Sequence, residues 1–62
     1  MRHYEVTVGD HLVFAGPDLS KARTVYDREV KAHVGARYDY VALYEYHEVL
    51  RRYEILDDND MI

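Results

Sequence analysis

The chain has 62 residues, a formal net charge of −4, 48% hydrophobic and 32% charged residues, and no cysteine. That length allows one small domain of marginal stability, and the composition is globular rather than disordered. The missing cysteines exclude disulfides and thiolate metal sites, and the net acidity argues against a broad phosphate-binding surface.

The opening "RHYEVTV" alternates. Tyr4, Val6 and Val8 take one parity and His3, Glu5 and Thr7 the other, which is the period of a half-buried strand. Gly9–Asp10 reads as a turn, because glycine adopts positive φ at no steric cost. "HLVFA" reads as a second strand with Leu12 and Phe14 on its core side. "GPD" at 16–18 closes this hairpin, since Pro17 has no N–H to pair and Asp18 is a favourable N-cap.

Leu19, Ala22, Val25, Tyr26, Val30 and Val34 then recur at spacings of three and four, one apolar stripe of a helix over about 18–34. Lys21, Arg23, Arg28 and Lys31 lie mostly off that stripe, and Gly35 stands where a left-handed C-terminal cap belongs. "YDYVALYEY" (38–46) is the third strand. "HEVLRRYEIL" gives a turn near His47–Glu48 and a fourth strand over roughly 49–56, although neither residue is a strong turn former. "DDNDMI" (57–62) reads as an acidic tail beyond a single domain at 1–56.

The order is β-β-α-β-β. One helix with one apolar stripe covers one face of a four-stranded sheet, so the expected fold is a two-layer α+β sandwich. A sheet order of 2-1-3-4 makes the pairing fully antiparallel.

In the third strand Val41 and Leu43 share a face with Asp39 and Glu45, while Tyr38, Tyr40, Ala42, Tyr44 and Tyr46 take the other. A buried phenol needs a partner for its hydroxyl, so the aliphatic pair is the better core. The helix is therefore expected over Val41 and Leu43, with the tyrosines on the uncovered face, joined by Val13 and either Leu50 or Tyr53. Exposed aromatic patches on small proteins mark contact sites, and tyrosine is enriched at interface hot spots. Two competing readings remain at this point: plain β-propensity of tyrosine on a solvated face, or an inverted sheet with the tyrosines as core.

No catalytic or metal-binding motif emerges. His3, His11, His33 and His47 lack the i, i+4 spacing of a helical zinc site, and "DDND" lacks the glycine and glutamate of a calcium loop. Ser20 and Thr24 stand outside any nucleophile-elbow sequence, and the three glycines form no phosphate loop. The expectation is a non-enzymatic protein without cofactor or metal. Charge is unevenly placed. Residues 18–37 carry five basic groups against three acids, whereas 38–62 carry seven acids against Arg51 and Arg52. An aromatic sheet face can stack bases, but nucleic-acid binders rim such sheets with Lys and Arg.

"DLSKARTVYDREV", "YDYVALYEY", a last strand and an acidic end together resemble small phage and prophage accessory proteins. In these a hairpin precedes a helix opening with leucine and an alanine three residues on, and a Tyr-rich or acid-rich hairpin follows. Anti-CRISPR and other anti-defence inhibitors are similar in size and acidity. The resemblance implies a stoichiometric inhibitor or adaptor that binds its target, such as a basic nucleic-acid-handling complex, and carries no catalytic residue across.

The partner-binding residues expected are Tyr38, Tyr40, Tyr44 and Tyr46 with Glu45, Glu48 and Glu54, the acids standing in for phosphates and steering association. A homodimer through the tyrosine face is also expected, with Tyr40 and Tyr44 near its centre. The alternatives are a self-associating structural module and a weak single-stranded nucleic-acid binder. The opening "MRHYEV" has no apolar leader stretch, and no apolar run approaches the roughly 20 residues of a membrane span, so a soluble cytoplasmic protein is expected.

Overall fold

The computed structural model describes residues 2–32 and 40–59. Its elements are β1 (His3–Val8), β2 (His11–Gly16), α1 (Leu19–Ala32), β3 (Val41–His47) and β4 (Arg52–Asp58). The strands form one antiparallel sheet in the order β2-β1-β3-β4, with α1 packed on β1, β2 and β3. This is the α+β sandwich and the strand order that the alternation and the single helical stripe predict. No helix among the described residues is long and apolar enough to cross a membrane.

Local chemistry explains the elements. Gly9 has φ of 57° at the first of two turn residues, as a tight hairpin requires. Asp18 caps α1: its Oδ1 accepts the Lys21 amide at 3.2 Å and its carbonyl accepts the Ala22 amide at 3.0 Å. The C-terminal cap expected at Gly35, with His33 and Val34, lies outside the described residues.

The pairing Tyr4↔Glu45, Val6↔Leu43 and Val8↔Val41 puts these residues on one face. That face meets Ala22 and Tyr26 of the helix, and Val6, Ala22, Val41 and Leu43 are fully buried there. Phe14, Val25 and Val30 pack around them. Val41 and Leu43 are thus the helix-facing core, and the inverted arrangement is excluded.

Four sequence expectations are corrected. Leu12 is exposed rather than core. The β1–β2 register slips between Val6↔Phe14 and Thr7↔Leu12, and this bulge at Val13 turns Leu12 to the face of Thr7. Leu19, on the first turn of α1, is exposed as well. The last turn spans Glu48–Arg51, so β4 begins at Arg52 instead of 49. Finally, Asp57 and Asp58 belong to β4 rather than to a tail. Asp57 Oδ2 accepts Arg23 Nη1 from the helix at 3.0 Å, and Asp58 Oδ2 accepts the Tyr40 hydroxyl at 3.0 Å.

Candidate functional site

One face of the sheet carries the helix. On the other, the register sets His3, Glu5 and Thr7 of β1 beside Tyr46, Tyr44 and Ala42 of β3. Tyr53, Ile55 and Asp58 of β4 stand opposite the same three β3 residues. Leu12 and Ala15 of β2 complete the surface. Leu12, Tyr53 and Ile55 are about half exposed, and Tyr44 and Tyr46 are partly so. Among the described strand residues of this face there is no lysine or arginine.

The aromatic rings lock one another. Tyr53 stands edge-on to Tyr44, with centroids 6.2 Å apart and planes at 80°, and lies 4.9 Å from Tyr46. Such pairs contribute about 0.5–1.5 kcal/mol beyond their burial. The Tyr53 hydroxyl donates to Glu5 Oε2 at 2.8 Å, a reach from the edge strand across β3 to β1. His3 Nε2 sits 3.0 Å from the same oxygen. The bond to Glu5, then partial burial, raises the Tyr53 phenol above its ordinary range. Glu5, Thr7, Tyr44 and Tyr53 line a shallow depression of about 220 Å³ in the middle of the face. Toward the other end, burial and the Asp58 carboxylate push the Tyr40 phenol up to about 12.

The seven residues expected to bind a partner therefore divide. Tyr44 and Tyr46 lie on the open face, and Tyr40 reaches the same side through Asp58. Tyr38 lies outside the described residues. Glu45 is buried on the helix side, opposite Tyr4, where its Oε2 accepts Arg2 Nη1 at 2.9 Å. Its neighbours Tyr4 and Glu45 hold the Arg2 guanidinium above its ordinary range. Glu54 pairs with Glu45 across the strands and contacts Arg52 at 3.3 Å. The buried Nε2 of His47 stands 3.5 Å from Glu45 and 3.3 Å from Glu54, without hydrogen-bond geometry to either. Glu48 is exposed in the turn beside Val49, which is 96% exposed.

Tyr44 and Tyr46 of the third strand thus point to one face and Glu45 to the other, as strand alternation requires. The acids that accompany the tyrosines are Glu5 and Asp58. Alternation in the first strand already puts Glu5 off the core face, but its place beside Tyr44, and that of Asp58 beside Ala42, comes only from the register. Among the described residues no three His, Asp or Glu side chains gather as a metal site. No protein-family model, curated protein or solved structure matches this chain.

Proposed function

We propose that the protein is a non-enzymatic binding module that engages a basic protein partner through the helix-free face of its sheet. The observation that carries this reading is the composition of that face. Leu12, Tyr44, Tyr46, Tyr53 and Ile55 offer aromatic and aliphatic area with polar tips, the chemistry of interface hot spots. Glu5 supplies negative charge among them, and the exposed Glu48 adds to it at the hairpin tip. With no lysine or arginine on the strands of this face, electrostatics favours a cationic partner and opposes a nucleic-acid backbone. A stoichiometric inhibitor or adaptor of a basic complex is the class of function such a surface serves.

Self-association through the same face is the second reading, favoured by the partly exposed apolar area on so small a chain. It is opposed by the charge, since a two-fold pairing sets described strands that carry Glu5 and Asp58 on this face, without lysine or arginine, against their copy.

Affinity capture with the wild type and with a Tyr44→Ser/Tyr53→Ser variant tests the proposal. The expected result is a basic protein retained by the wild type and released by the variant, while far-ultraviolet circular dichroism stays native. Identical capture by a folded variant contradicts the reading. Sedimentation showing a dimer that the same variant dissolves replaces it with the second one.

A further inference from the structure

The depression at the centre of the open face has the parts of a cation site. Two of its walls are the Tyr44 and Tyr53 rings, set nearly perpendicular at 80°. A third is the carboxylate of Glu5, whose side chain is 20% exposed and so remains within reach of solvent. Aromatic faces attract cations through the ring quadrupole, most strongly for arginine. An adjacent carboxylate adds a charge-assisted hydrogen bond.

We infer that this pocket receives an arginine side chain of the partner. The inference rests on the proposed function and names what the face recognises. Three features select a guanidinium. The site is a shallow, open corner rather than an enclosed cage, so it suits a flat ion that stacks on one ring while its edge meets a carboxylate. Among the described residues both hydrogen-bonding contacts of Glu5 fall on Oε2, one from the Tyr53 hydroxyl and one with His3, and neither uses the lone pairs of Oε1, which can meet a ligand's donors. The pocket is also set before the ligand arrives, because Tyr53 is fixed at its hydroxyl by Glu5 and at its ring by Tyr44 and Tyr46. Preorganisation of this kind lowers the entropy cost of binding.

The probe is N-acetyl-arginine amide, titrated into the ¹⁵N-labelled protein and followed by nuclear magnetic resonance. Uncharged N-acetyl-citrulline amide has the same shape, and N-acetyl-lysine amide has the same charge. Saturable shifts centred on Glu5, Thr7, Tyr44 and Tyr53 are expected with the arginine probe, weaker ones with lysine and none with citrulline. Glu5→Gln keeps an acceptor for Tyr53 and should weaken the response about tenfold. Tyr44→Leu keeps apolar volume without the π face and should weaken it also. Equal shifts with citrulline or lysine overturn the assignment, as do shifts that both variants leave unchanged or no saturable shift at all. Partner capture that persists without any arginine response sinks the pocket alone. Capture that survives loss of the whole face sinks the proposed function.

Discussion

The two faces of this sheet are built from neighbouring residues of the same strands, yet they solve different problems. Leu43 and Tyr44 are adjacent in β3, and one is fully buried under the helix while the other stands partly exposed beside Tyr53. On the covered face, polar atoms are moved to the margin: the Tyr26 phenol lies near Asp57, and Tyr4 near Arg2. On the open face the polar atoms are central, with Glu5 tied to Tyr53 between the rings. A core excludes charge because desolvation is costly, whereas a recognition surface keeps charge where a partner can meet it. The covered face ties its one buried carboxylate among the described residues, Glu45, to Arg2, whereas the open face holds Glu5 at the centre of its aromatic cluster.

Two truncations one residue apart should separate the two faces by the largest margin. Leu43→Ala removes fully buried methyl groups and should cost about 2–5 kcal/mol in urea denaturation. Tyr44→Ala loses an edge-on ring contact and part of a cross-strand pair, and should cost about 0.5–1.5 kcal/mol. Equal losses mean that the open face contributes as much to the core as the covered one.

Alkali titrates a perturbed phenol on each face. Burial, then Asp57, pushes the Tyr26 phenol up to about 12, and burial, then Asp58, does the same to Tyr40. The folded state thus holds these two protons more tightly than an unfolded chain with phenols near 10. Their contribution is fully present below about pH 10 and falls away as pH rises toward 12. Urea midpoints should decline across that window. Tyr26→Phe should flatten the decline on the covered side and Tyr40→Phe on the open side. A midpoint constant through the window contradicts both assignments.

Much of this architecture is legible in the sequence because it rests on periodicity. The alternation in "RHYEVTV" and "YDYVALYEY" and the stripe through Ala22, Tyr26 and Val30 specify which faces meet. What escapes the sequence are departures from period. The bulge at Val13 reverses Leu12, and no residue there signals it. The last turn is hidden because Arg51 takes φ of 51°, a conformation that ordinarily calls for glycine or asparagine. The buried tyrosines Tyr4 and Tyr26 show that a phenol enters a core when its hydroxyl reaches a margin where a charged group waits. The candidate site was half legible. Tyr44 and Tyr46 follow from parity, with Tyr53 as an alternative to Leu50, but the contact of Tyr53 with Glu5, 48 positions away, follows only from the pairing of β1 and β4 to either side of β3.

Hydroxyl-radical footprinting of the tyrosines, read residue by residue in a mass spectrometer, tests the two-faced account most directly. The method follows solvent access independently of phenol ionisation. The account predicts the strongest labelling at Tyr53, intermediate labelling at Tyr44 and Tyr46, and protection of Tyr4 and Tyr26, which are 4% and 5% exposed. Tyr44, Tyr46 and Tyr53 as protected as Tyr4 and Tyr26 in a monomeric sample would contradict it.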